Sequence, residues 1–126
     1  MATLRVYFRT GGDDLREGSW ANFFVKLINQ PEIKFEKITE GKKLDESSDF
    51  ERLIDVPALT SPEQVESFRV EHVSQESLGQ TRDNWNILRA EVKIASGRFP
   101  IVVGEYGYHR FDGNSPSITI APPLPV

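Results

Sequence analysis

The sequence predicts an all-β protein, an eight-stranded antiparallel β-sandwich with at most one short helical turn. Three observations carry this. Apolar and polar residues alternate with period two in several segments, the pattern of a strand with one face in a core and one in water. Turn-forming residues recur at intervals of about eight to twelve positions, the spacing of sandwich strands. No segment has a sustained helical period.

Taken in order, Leu4, Val6 and Phe8 alternate with Arg5, Tyr7 and Arg9 and give a first strand. Thr10 to Ser19 is a loop rich in Gly and Asp. The second strand runs from Trp20 to Asn29, with Ala21, Phe23, Val25 and Leu27 on one face and Trp20, Asn22, Phe24 and Lys26 on the other, until Gln30-Pro31 breaks it. Ile33 to Ile38 is a weaker strand laced with Lys and Glu, as expected at a sheet edge. After a polar loop, Gly41 to Asp49, Phe50 to Val56 is a strand ended by Pro57. Ser61-Pro62-Glu63-Gln64 has a hydroxyl cap, Pro at the first position and Gln three residues on, the signature of a single helical turn. Ser67 to Val73 is the next strand, and Gln75 to Arg82 a loop. In Ile87 to Ile94, Leu88, Ala90, Val92 and Ile94 alternate with Ile87, Arg89, Glu91 and Lys93. The turn-prone pair Asp83-Asn84 precedes this strand and Trp85 sits at its entrance as an apolar plug with one N–H to satisfy. Gly97 turns the chain into a strand at Arg98 to Val103. Gly104 to Asn114 is a loop holding Tyr106, Tyr108 and His109, and Ser117 to Ala121 is the last strand. Pro122, Pro123 and Pro125 forbid further pairing.

The 126 residues suit a single domain, residues 1–126, able to bury a real core, with eight Phe as its main bulky candidates. A formal net charge of -4 excludes a general nucleic-acid binder, which needs a basic face to displace counterions, and gives no long-range attraction to an anionic membrane. The absence of Cys removes disulfides, thiolate metal sites and thiol catalysis. Met1-Ala2-Thr3-Leu4 leads straight into a strand without the regions of a signal peptide, and no apolar run approaches the about 20 residues that span a bilayer. A cytoplasmic or leaderless secreted protein is expected. Two His without shared spacing make no transition-metal site, and neither a nucleophile elbow, a phosphate-cradling Gly loop nor an HExxH helix occurs. No enzymatic activity is expected.

Thr10-Gly11-Gly12-Asp13-Asp14-Leu15-Arg16-Glu17-Gly18-Ser19 lies between the first two strands, and Asp83-Asn84-Trp85-Asn86 precedes a later one. This order resembles the PLAT domain (polycystin, lipoxygenase, alpha-toxin) and related modules, whose first hairpin carries a Thr-Gly…Gly-Ser/Thr loop and in which a Trp-containing loop precedes a later strand. Arg110-Phe111-Asp112-Gly113 is similar to the Arg-Phe-x-Gly near the end of some of these modules, where Arg110 takes a structural place. The middle of the chain, residues 30–61, matches only in strand spacing. The resemblance implies an eight-stranded sandwich that works as a membrane- or protein-binding accessory, in some relatives through calcium held in loops at one end. The corresponding residues are Asp13, Asp14 and Asp83.

Calcium takes six to eight oxygens, best supplied by Asp-rich loops and by carbonyls that neighbouring glycines free to bend. Asp13, Asp14 and Glu17 offer that chemistry, while a simple turn in which Asp13 or Asp14 bonds backbone N–H groups and pairs with Arg16 accounts for the same residues. Asp83 and Trp85 read as a turn acceptor and a core plug, with a glycan-stacking role for Trp85 as the other reading. His72, in phase with Phe68 and Val70, reads as a partly buried core residue, and His109 as exposed. If the first two strands pair, Tyr7, Trp20 and Phe24 form an outer aromatic patch, open for a partner or covered by the Gly41–Asp49 loop. The sequence thus predicts a non-enzymatic module that binds a membrane surface or a partner protein, assisted by calcium. The alternatives are a lectin-like module using Tyr106, Tyr108 and Trp85, and a structural or oligomerising protein.

Overall fold

The computed structural model describes residues 2–74, 83–98 and 100–122. The expected loop at 75–82 lies outside the described residues, as do Pro123 and Pro125. Nine strands are present among the described residues: β1 (Ala2–Thr10), β2 (Trp20–Leu27), β3 (Ile33–Phe35), β4 (Asp49–Val56), β5 (Val65–Val73), β6 (Trp85–Ile94), β7 (Ile101–Tyr106), β8 (His109–Phe111) and β9 (Ser117–Ile120). A single 3-10 turn, Pro62–Gln64, precedes β5. Its cap is the predicted one, with Gln64 Oε1 accepting from the Ser61 N–H at 3.0 Å.

The strands form two antiparallel sheets packed as a sandwich. One has the order β4-β1-β6-β7 with β8 also on β6, and the other the order β3-β2-β5-β9. The alternation puts Leu4, Val6 and Phe8 of β1 inward against Phe23, Val25 and Leu27 of β2 and Phe68 and Val70 of β5, all at or near zero exposure. Burial of this many large side chains is the main stabilising term. The sheets approach so closely at Gly104 that a Cβ there would lie 2.9 Å from Ile120 Cγ2 and 3.1 Å from Phe68 Cδ2.

The expected edge strand is there as β3, but it ends at Phe35. Residues 36–41 turn instead, so that Ile38 enters the core at 3% exposure and donates its N–H to Ala21 O at 2.9 Å. β2 stops at Leu27 because Asn29 adopts φ +60, a left-handed conformation that Asn tolerates. β7 starts three residues later than predicted and runs on to Tyr106. Gly104 to Asn114 is therefore not all loop: it holds the end of β7 and the whole of β8.

The largest departure is in β6. Arg9 of β1 faces Arg89, yet Thr10 faces Ile87, so Leu88 is one residue extra on β6. This is a β-bulge, which opposes two residues to one and re-aims side chains. Ala90, Val92 and Ile94 point inward as predicted, but Leu88 does not: it is 49% exposed, while Ile87 and Trp85 are fully buried. The other edge of β6 feels the same kink. Ala90 faces Tyr106 and Ile87 faces His109, three residues along on each side, so β7 and β8 keep one register. They are separate strands only because Gly107 and Tyr108 lift off opposite Leu88 and Arg89.

Trp85 is the plug the sequence suggests. Its indole stacks on Phe111 at 4.9 Å between centroids, meets Phe8 edge-on at 5.4 Å, and donates Nε1–H to Thr10 Oγ1 at 3.2 Å. Replacing Trp85 with Ala is expected to destabilise the fold by about 3–5 kcal/mol, read as a lower denaturation midpoint. Gly104→Ala should cost about 1–3 kcal/mol by overpacking against Phe68 and Ile120. An unchanged melting temperature for that variant would contradict the close approach of the sheets.

Candidate functional site

The Gly-Asp loop is fixed at both ends. Leu15 is fully buried and exchanges two backbone hydrogen bonds with Leu44, each 3.0 Å, which seats the loop on the 41–49 segment. Gly11 donates its N–H to Asn86 O at 2.9 Å, and the Asp13 N–H is accepted by Asn86 Oδ1 at 2.8 Å. With the start of β6 alongside, Asp13, Asp14, Arg16, Glu17, Lys43, Asp83 and Asn84 line one groove of about 520 Å³. The loop and the Trp-containing turn, 70 residues apart in the chain, thus meet at one end of the sandwich.

Within that groove Asp13, Asp14 and Asp83 each have their own partner. Asp13 pairs with Arg110 of β8, and Asp14 Oδ2 lies 3.5 Å from Lys43 Nζ. Asp83 is buried: its Oδ2 lies 3.2 Å from His72 Nε2 and accepts the Arg16 N–H at 3.1 Å. Among the described residues no group of three or more His, Asp or Glu is arranged to hold a metal ion. Arg110 and Lys43 are partners that the sequence reading did not name. Arg110, expected to be structural, is an exposed side chain whose described role is to hold the loop through Asp13.

His72 is a core residue, more deeply so than its phase suggested, with no side-chain exposure. Its ring lies against Trp85 and Phe111, at 5.9 Å from each. With Nε2–H donated to Asp83 it clamps β5 to the turn before β6.

The expected aromatic patch of Tyr7, Trp20 and Phe24 does not form, because β1 and β2 lie in different sheets. Tyr7 is on the outer face of the β1 sheet, where its hydroxyl donates to Asp49 Oδ1 at 2.5 Å. That bond pushes the Tyr7 phenol above its ordinary value and holds the Asp49 carboxyl below its own. Phe24 is 6% exposed on the opposite face, under the Arg69 guanidinium at 3.7 Å and Lys34. Trp20 carries Lys37 Nζ at 4.3 Å. Charged side chains of β5 and of the 33–37 segment provide this cover, not the 41–49 loop.

An apolar surface does exist, at the bulge. Leu88 is 49% exposed and Tyr108 59% exposed, opposite one another where β7 and β8 part. Leu88, Arg89, Glu105, Tyr106 and Gly107 line a shallow groove of about 430 Å³ there. Tyr106 is backed by His109, which is partly buried and packs edge-on against Phe111 at 4.7 Å. Phe111 in turn stacks on Trp85, so the core braces Tyr106 from behind. Tyr108 accepts from Asn86 Nδ2 at 3.4 Å. The charges around the patch are satisfied internally, Arg89 by Glu91 at 2.6 Å and Glu105 at 2.8 Å. Tyr106 and Tyr108 were legible in the sequence as loop aromatics; Tyr108 is exposed, whereas Tyr106 ends β7 and is partly buried against the core. Leu88 was not legible as exposed, because its alternation assigned it to the core. Trp85 has zero exposure and offers no stacking face to a glycan.

No protein-family model matches the chain, and no curated protein matches it. Among solved structures it is similar to two crystal structures of lipoxygenase variants, with TM-scores of 0.60 and 0.59 and 8% identity to each. The likeness covers 98% of this chain and 17% of each lipoxygenase chain. At that identity the likeness is one of fold, and the fold is a PLAT-like antiparallel β-sandwich.

Proposed function

We propose that the chain is a non-catalytic binding module of the PLAT kind that docks on a membrane interface through Leu88, Tyr106 and Tyr108. The observation that carries this is the exposure of Leu88 beside two tyrosines at a bulge, in a strand whose other large apolar residues face the core. Tyrosine suits a boundary between apolar and wet surroundings, with an apolar ring and a polar tip. Because Arg89 and Arg110 are already paired and the net charge is -4, the contact rests on apolar burial and not on attraction to anionic lipid.

Leu88 and Tyr108 are about half covered and Tyr106 is more than half covered, so the three together contribute about 2–4 kcal/mol on transfer out of water. A contact of that size is weak alone and gains by acting beside a second attachment, as an accessory domain does. The likeness to a small part of the lipoxygenase chains supports that role. Calcium fits only as an exchange of partners. An ion binding Asp13 and Asp14 displaces Arg110 and Lys43, and so costs two ion pairs before it gains any oxygen.

Flotation with phosphatidylcholine vesicles tests the proposal. The chain should float with the vesicles and continue to do so at high salt, and Leu88→Ser with Tyr108→Ser should release it without lowering the melting temperature. Absence of flotation at every lipid composition, with and without millimolar calcium, would reject membrane docking and turn the search to a protein partner. A melting temperature that rises with calcium, by an increment lost in Asp13→Asn with Asp14→Asn, would establish the exchange.

A further inference from the structure

The residue that joins the acidic groove to the tyrosine patch is Asn86. Its backbone N–H donates to Asp13 O at 3.2 Å, its carbonyl accepts the Gly11 N–H, and its Oδ1 accepts the Asp13 N–H. The same side chain donates from Nδ2 to Tyr108 Oη at 3.4 Å. It is 9% exposed, and its β8 neighbour in register is Arg110, the partner of Asp13. The loop is shaped around it: a Cβ on Gly11 would fall 2.7 Å from Asn86 Oδ1 and 3.2 Å from Leu88 Cδ2, so any larger residue there pushes this amide out of place.

From these contacts the geometry points to Asn86 as a positioning residue that couples the Gly11–Asp13 loop to Tyr108, making the groove and the patch one unit. An amide is the side chain that does this, because it accepts at one end and donates at the other. A shift of the loop moves Oδ1 and, through the rigid amide plane, Nδ2. A change of partner at Asp13 therefore reaches Tyr108, and by linkage a ligand on the patch biases the loop in return. The role in membrane contact rests on the docking function proposed above, whereas the coupling itself does not.

Two measurements separate them. Tyr108→Phe removes a hydroxyl and its one bond, to Asn86, from a side chain that is mostly exposed, so the variant folds, and it should shift the amide NMR resonances of Gly11 and Asp13. Tyr106→Phe, at the neighbouring position, should leave both unmoved. In vesicle flotation, Asn86→Ala and Gly11→Ala should each weaken binding roughly three- to tenfold, the worth of one net hydrogen bond. Both are assayed well below their melting temperatures, so that only folded protein is scored. Tyr108→Phe combined with Asn86→Ala should then lose no more than Asn86→Ala alone. Unmoved Gly11 and Asp13 resonances in Tyr108→Phe would overturn the coupling, as would wild-type flotation by a folded Asn86→Ala protein. If the wild type fails to float, the docking proposal falls and the amide shifts alone decide the coupling.

Discussion

One extra residue at Leu88 is the constraint on which the rest of the structure depends. A regular strand sends every second side chain to the same face. Trp85 and Ile87 share one parity and Ala90, Val92 and Ile94 the other, so an unbroken β6 could bury only one set. The bulge inserts the half-step that buries both. Without it, either the indole or three aliphatic residues would face water, a loss of several kcal/mol.

The same half-step builds both candidate surfaces. Toward β1 it lets Thr10 reach the Trp85 indole and leads the chain into the Gly-Asp loop, which Asn86 then holds. Toward β7 and β8 it interrupts an otherwise continuous ladder and raises Gly107 and Tyr108 beside Leu88. Packing in the core and exposure at the surface are thus two results of one backbone irregularity. Natural sheets place bulges where a side chain must be re-aimed.

The end of the sandwich that carries these surfaces is braced by aromatic and ionic contacts of different worth. Phe8, Trp85, Phe111, His109 and Tyr106 form a run of ring contacts between 4.7 and 6.1 Å. These are dry and contribute to stability as well as to placement. Asp13 with Arg110 and Asp14 with Lys43 are largely exposed pairs, which contribute little to stability. They can therefore be exchanged without unfolding the domain, and the buried His72–Asp83 pair cannot.

The sequence by itself determined the fold class, most strand positions and the burial of Trp85. Alternation, turn residues and a capping signature are local properties, and each acts within a few residues of where it is read. Only the tertiary structure decided which strands are neighbours, and with it the fate of the side chains that face away from the core. Tyr7 and Phe24 read as one patch because their strands are consecutive, but the chain crosses between sheets after Thr10 and puts them on opposite faces. Leu88 read as core because alternation has no means of marking an unpaired residue. A bulge is a relation between two strands 80 residues apart, set by what Arg9 and Thr10 pair with, and its one trace in β6 is the change of apolar parity between Ile87 and Ala90. The partners of Asp13 and Asp14 were hidden for the same reason: Arg110 and Lys43 are distant in sequence, and the β6–β8 register brings the one to the groove and the Leu15–Leu44 bridge the other.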